Sequence, residues 1–165
     1  MKKEFWRDWK NKTKTEERAI KSIRKAKRIL FKNISKEKIY AIYIKGSFVR
    51  REMNEKSDVD IIPITYNNKT LENIKKLEET KGHLYKPSEL LPHSLKEFEQ
   101  GKTHLKYKGP IGNIDGTLRN LHRYKLVYGK HVDITKYPMR SDLEFLKGHI
   151  NAFKTIFIPL WSRGD

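Results

Sequence analysis

Residues 39–62, IYAIYIKGSFVRREMNEKSDVDII, decide how this chain is read. Ile39, Ala41 and Tyr43 alternate with Tyr40, Ile42 and Ile44, and both sets are apolar. That pattern predicts a strand buried on both faces and central in its sheet. Gly46 permits a sharp exit that a side chain would obstruct, and Ser47 can cap a short helix over Phe48–Met53 while offering a hydroxyl to a phosphate. Ten residues separate Ser47 from Asp58, which is followed by Val59 and Asp60 at the start of a second strand. The period of two points both carboxylates to one face. Like charges side by side repel, and a hard cation relieves the repulsion; Mg²⁺ is typically held by one or two carboxylates plus substrate phosphates. A phosphate cradle beside a carboxylate pair points to nucleotide chemistry.

The pattern apolar-Gly46-Ser47, ten residues, Asp58-apolar-Asp60-apolar resembles the signature of the nucleotidyltransferase superfamily. That superfamily includes DNA polymerase beta, kanamycin nucleotidyltransferase and the minimal nucleotidyltransferases of prokaryotes. The resemblance implies an α/β (α+β) fold, a small mixed sheet with helices packed on one side, like the polymerase beta palm. It implies Mg²⁺-dependent transfer of a nucleoside monophosphate, AMP from ATP, to a hydroxyl, with two Mg²⁺ ions on Asp58 and Asp60. Ser47 and the backbone around Gly46 would hold the β- and γ-phosphates, and Arg50 or Lys45 would neutralise their charge. Relatives carry a third carboxylate that begins a strand running into a Ser/Thr-x-x-Glu-Phe helix start. The segment ELLPHSLKEF resembles that pattern with Glu89 as the acid, serving as third metal ligand or general base, while Asp133 in HVDI competes for the role. The apolar-Tyr-Gly at Val127-Tyr128-Gly129 also resembles the small members. The spacing looks like that of the minimal antitoxin type, which modifies a partner ribonuclease toxin with AMP.

The chain has 165 residues, which suits one domain: an N-terminal helix over about 15–34, a catalytic core over about 35–98 and a helical C-terminal part over about 117–158. No apolar run is long enough to span a bilayer and MKKEFWRDWKNK holds no signal-like stretch, so a cytoplasmic location is expected. The absence of cysteine excludes disulfides, thiolate zinc sites and a cysteine nucleophile, and no histidine pair has ligand spacing. A net charge of +17, from 37 basic and 20 acidic residues, would concentrate polyanions such as RNA, a nucleoside triphosphate or an acidic protein. It disfavours a cationic drug as acceptor. A catalytically degenerate, basic nucleic-acid-binding module is the alternative function, and lysine-rich surfaces also occur in proteins of hot or AT-rich habitats.

Around that centre, Phe5, Trp6 and Trp9 share one face and are expected to pack on the domain. Ala19, Ile23, Ala26, Leu30 and Ile34 recur at helical intervals after a Thr13/Glu16 capping box. Pro63 predicts that pairing of the second strand stops on one side and that its far end is short or exposed. A helix over 69–80, capped by Asn68 or Thr70, buries Leu71, Ile74 and Leu77 and ends at Gly82. Strand pieces are expected at His83–Lys86 and Ser88–Leu91, then a helix capped by Ser94 and Glu97. The glycine-rich segment 101–116 reads as a loop that closes over the nucleotide or approaches an acceptor. A helix is expected over Thr117–Leu126. A last one, capped by Ser141 and Glu144 and stopped by Pro159, would place Leu143, Leu146, Ile150, Phe153, Ile156 and Phe157 in the core, or else in a dimer seam.

Overall fold

The computed structural model describes residues 4–104 and 113–162. Its centre is a mixed sheet in the order β3-β2-β1-β5, with β1 (Ile39–Lys45) inside. β1 runs antiparallel to β2 (Val59–Thr65) and to β5 (Lys125–Gly129). The short β3 (Ser88–Leu90) and β4 (His93–Ser94) add to β2 in parallel. The apolar run of β1 supplies both faces, as its sequence predicts. Ile42 and Ile44, with Val59 and Ile61 of β2, pack under α1 (Lys14–Asn33) and α3 (Asn68–Lys81), which contribute Ile23, Ala26, Leu30, Ile74 and Leu77. Ala41, Tyr43, Ile62 and Ile64 meet a second cluster with Phe98 of α4 (Leu95–Gln100) and Leu118 of α5 (Asp115–Asn120). The two long helices thus share one face, while short helices cover part of the other.

Several local expectations are revised. Pairing of β2 breaks at Pro63 on the β3 and β4 side, as expected, but on its other side Pro63 lies within a ladder, opposite Ile42, and the far end of β2 is buried through Thr65 rather than exposed. Val59 N–H donates to Pro87 O and Ile61 O accepts from Leu91 N–H, so alternate groups from position 59 face β3. Pro63 falls on that side, where β3 has ended and β4 not begun, and its missing donor is harmless there. Asn67, not Asn68 or Thr70, caps α3, accepting from Thr70 N–H. Residues Gly82–Tyr85 form a 3₁₀ turn instead of a strand, and Tyr85 is buried against α1 and α3 with its hydroxyl on Glu78 at 2.7 Å. The expected helix over 117–126 stops early: α5 and a 3₁₀ turn (Leu121–Arg123) give way to β5, because Lys125–Gly129 pair with the open edge of β1.

The C-terminal segment departs most. α6 (Asp142–Ala152) has its Ser141/Glu144 capping box, yet none of its residues is buried, and Leu143 and Leu146 are 60% and 56% exposed. It is therefore not a core element, since α1, α3, α4 and α5 already occupy the sheet faces. Arg140 on Asp115 (2.8 Å) and Arg119 on Asp142 (2.6 Å) tether it to α5. Pro159 does not stop the helical path. One π-helical turn (Phe153–Phe157) precedes α7 (Ile158–Ser162), a wider turn that accommodates a residue lacking an N–H.

The N-terminal aromatics pack inward and support the turn that follows β1. Phe5, Trp6 and Trp9 stand 5.9, 5.6 and 5.1 Å from the ring of fully buried Phe48 in α2 (Ser47–Arg50). Arg51, in left-handed backbone after α2, donates to the buried Glu16 carboxylate at 2.8 and 3.0 Å. Glu16 also accepts from Thr13 N–H, completing the predicted capping box. The Arg51 hydrogen bond, more than the opposing burial, holds the Glu16 carboxyl below its ordinary value near 4.5. A depressed folded-state pKa means that the unfolded chain binds the proton more readily, so this stabilisation is complete above about pH 4.5 and is lost as pH falls through the folded value. Glu16→Gln is accordingly expected to lower stability by about 1–2 kcal/mol at pH 7, with the gap to the unsubstituted protein narrowing in urea melts as pH falls below the ordinary carboxyl value.

Candidate active site

The antiparallel register sets Lys45, the last residue of β1, opposite Asp60 near the start of β2. Exit and entry thus occur at one end of the sheet. Gly46 turns the chain there with φ +90° and ψ −159°, a region that only glycine adopts without strain. A Cβ would lie 3.9 Å from Asp60 Oδ2, an ordinary contact, so backbone conformation rather than crowding selects glycine. Gly46 is also the cap of α2; Ser47 is its first helical residue and makes no capping bond, contrary to the expected role.

Since Val59 and Ile61 face α1, Asp60 faces the opposite side with Ile62 and Ile64. Asp58, exposed just before β2, precedes it by two. Lys45 Nζ lies 3.6 Å from Asp60 Oδ2 and 5.9 Å from the Tyr124 ring centroid. Burial pushes the Tyr124 phenol up, and the Asp60 charge adds to it. The parallel register sets Glu89 beside Asp60, and because Leu90 faces α1, Glu89 projects to the Asp60 side. Its carboxylate accepts from Lys86 Nζ at 2.8 Å. That bond, with smaller help from Glu78 and Asp58, holds the Lys86 ammonium above its ordinary pKa.

Asp60 lines a cleft beside Lys45 and Gly46, while Asp58 lines a neighbouring hollow with Arg18, Lys86 and Pro87; both carboxylates reach solvent and offer the oxygen donors that a hard divalent cation takes. Among the described residues no three acidic or histidine side chains lie close enough to hold a metal. Asp133, the competing acid, caps a 3₁₀ turn (Ile134–Lys136) and accepts from Thr135 N–H and Oγ1 at 3.2 and 2.6 Å.

A cleft of about 500 Å³ brings Lys45, Gly46, Arg50 and Asp60 together with Asn120, Arg123 and Tyr124. Arg50 also reaches Glu52 at 2.6 Å. Asn120, Arg123 and Tyr124 carry no signal of a site in sequence: with Leu118 and Leu121 they read as part of an ordinary helix, and only the pairing of β5 with β1 turns them to the cleft. The expected closing loop falls largely on residues 105–112, outside the described residues.

The model of the family "Polymerase beta, Nucleotidyltransferase" matches residues 24–109, more than half of the chain. The chain belongs to that nucleotidyltransferase family. The match spans the Gly-Ser turn, the aspartate pair and Glu89 together. A comparison with curated proteins returned no match. Among solved structures, a candidate nucleotidyltransferase from Sulfolobus solfataricus is 16% identical, covers 79% of this chain and 98% of its own, and has a TM-score of 0.43. A mutant of the MntA–HpeT toxin–antitoxin pair is 14% identical over 86% of this chain and 98% of its own, TM-score 0.36. A toxin–antitoxin structure with AMP-PNP is 16% identical over 91% and 98%, TM-score 0.35. The nucleotidyltransferase assignment rests on the family match. No described helix is long and apolar enough to cross a membrane.

Proposed function

We propose that this nucleotidyltransferase moves AMP from ATP to a hydroxyl of an acceptor, forming a bond from that oxygen to the α-phosphorus and releasing pyrophosphate, with Mg²⁺ on Asp58 and Asp60. One observation carries the reading: Lys45, Gly46 and Asp60 converge across the β1–β2 register on a cleft that Arg123 faces from the other side. That cleft offers cations and an unencumbered backbone to a triphosphate next to carboxylates for its metal. Mg²⁺, when bound, would neutralise phosphate charge and stabilise the attacking and leaving oxygens. The chain's own groups would do the rest. The Gly46 turn lets phosphate oxygens approach the backbone, Ser47 offers its hydroxyl, and Lys45, Arg50 and Arg123 balance charge. Glu89, one strand from Asp60, would exchange Lys86 for the acceptor's proton or for a metal bond. The acceptor is an RNA, a protein such as a toxin-type partner, or a small molecule, and the basic surface favours an anionic one.

Incubating the protein and a cell extract with α-labelled and γ-labelled ATP in parallel tests the proposal. Nucleotidyl transfer predicts Mg²⁺-dependent label on an acceptor from the α-position alone; label from the γ-position would make the reaction phosphoryl transfer instead. Within this reading, Arg123→Ala is expected to weaken Mg²⁺-ATP binding about tenfold by calorimetry, roughly 1.4 kcal/mol for a lost charge-assisted contact. Because Arg123 is exposed, thermal stability should not change.

A further inference from the structure

The excess charge of this chain is unevenly placed. Residues 1–38 hold 15 basic and 5 acidic side chains, a net +10 of the total +17. Within α1, Lys14, Arg18, Lys21, Lys25, Arg28 and Lys32 follow one another at steps of four, three, four, three and four, and all six are exposed. Such spacing puts them in one row along the helix, opposite the buried row of Ala19, Ile23, Ala26 and Leu30. At 1.5 Å per residue the row is about 27 Å long. None of the six forms an ion pair among the described residues. Of the two acids of α1, Glu16 is buried against Arg51 and only Glu17 flanks the row.

The row leads to the carboxylates. Arg18 donates to Glu55 O at 3.0 Å in the loop before β2. Lys14 and Arg18 line one hollow with Lys56, and Arg18 lines the next with Asp58 and Lys86. A repeating cation row that ends on Asp58 suits a polymer of evenly spaced anions. A protein interface would need buried apolar anchors, and α1 exposes no large apolar side chain.

From this geometry we infer that the outer face of α1 binds a nucleic-acid strand through its phosphates, along a path that ends at Asp58. The binding surface stands independently of catalysis; only delivery of a strand end as acceptor rests on the proposed AMP transfer. A single strand spanning six cations should bind with a slope of log K against log salt of about −4, at roughly −0.7 per phosphate neutralised. Removing three contacts should reduce the slope by about 2 and the affinity at 0.1 M salt by about a hundredfold.

The test titrates fluorescein-labelled 20-nucleotide RNA and DNA of one sequence with the full-length protein at 50–300 mM salt. A stripe variant (Lys21→Gln, Lys25→Gln, Arg28→Gln) is compared with an equally neutralised control (Lys69→Gln, Lys76→Gln, Lys147→Gln), both checked by thermal melt. The expected result is the steep slope, the hundredfold loss in the stripe variant and a loss below threefold in the control. Equal tightness for RNA and DNA supports backbone recognition, and preference for one names the source of the strand. Equal losses in both variants, a slope shallower than about −2, or displacement by polyglutamate at matched charge would overturn the proposal, the last by making the partner an acidic protein. Asp58→Asn is run alongside: strand binding unchanged in it, with no AMP transfer even by the unsubstituted protein, would sink the transfer reading and leave this surface standing.

Discussion

Asp60→Asn is expected to reduce α-label transfer from ATP about a thousandfold or more while shifting the melting temperature by no more than about 3 °C. The two effects separate because Asp60 does different things in the fold and in the site. Structurally it is a side chain about 30% exposed, paired with a Lys45 ammonium that is similarly open at 3.6 Å. Screened pairs of this kind contribute at most about 1 kcal/mol, and asparagine has the same shape. Relief of repulsion from Glu89, set beside Asp60 by the parallel register, offsets part of the loss. In the proposed reaction, the substitution removes an anionic donor for Mg²⁺ and deprives Lys45 of its partner beside the phosphates. Loss of a single preorganised electrostatic contact to a transition state commonly lowers rate by a hundred- to a thousandfold, and here the metal site is compromised too. Asp133→Asn is the control. Its carboxylate caps a local turn, a role that the asparagine side-chain oxygen also fills, so both transfer and stability should survive. A transfer rate for Asp60→Asn within tenfold of the unsubstituted protein would rule out the aspartate pair as the metal platform.

The parts of this site that are legible in sequence are those in which chemistry and local geometry coincide. Gly46 announces a backbone that no other residue adopts comfortably, and Asp58-Val59-Asp60 announces carboxylates at the entry of β2, where Asp60 meets Lys45 in the cleft and Asp58 lines the hollow next to Arg18. The apolar alternation of Ile39–Ile44 places both at a sheet centre. What lies beyond reach depends on contacts between distant segments. Lys125–Gly129 carries no propensity that separates a helix end from a strand; the open edge of β1 decides, and with it the position of Asn120, Arg123 and Tyr124 in the cleft. His83–Tyr85 has the composition of a strand, but the burial of Tyr85 against α1 and α3 is better served by a 3₁₀ turn. The ridge of Leu143, Leu146 and Ile150 has the period of a core helix, yet the sheet faces are already taken. Periodicity reports which side of a helix is apolar, not whether the fold has room for it.

β5 sets up the largest expected effect on stability: Gly129→Ala should destabilise the protein by about 2–5 kcal/mol, lowering the melting temperature by roughly 5–20 °C in a chain of this size. Gly129 closes β5 opposite Ala41 of the central strand, with φ +78°. Left-handed backbone alone costs an alanine about 1–2 kcal/mol. Space is the larger obstacle, because a Cβ there would stand 2.0 Å from Tyr40 O and 2.9 Å from Ala41 Cα. Both are backbone atoms of β1, which cannot rotate away as a flexible side chain could, so β5 must shift off the sheet at a further cost of about 1–3 kcal/mol. Gly116→Ala gives the opposite sign. Gly116 lies in α5, where an added Cβ meets only the Phe145 ring at 3.7 Å, and alanine's higher helix propensity favours it by up to about 1 kcal/mol. If thermal melts of Gly129→Ala matched those of Gly116→Ala, the pairing of β5 with β1 would be wrong. The cleft would then lose the wall that Asn120, Arg123 and Tyr124 form. Because that wall is carried into place by β5, Gly129→Ala should also weaken Mg²⁺-ATP binding at temperatures where the variant is still folded, by more than the tenfold expected of Arg123→Ala alone.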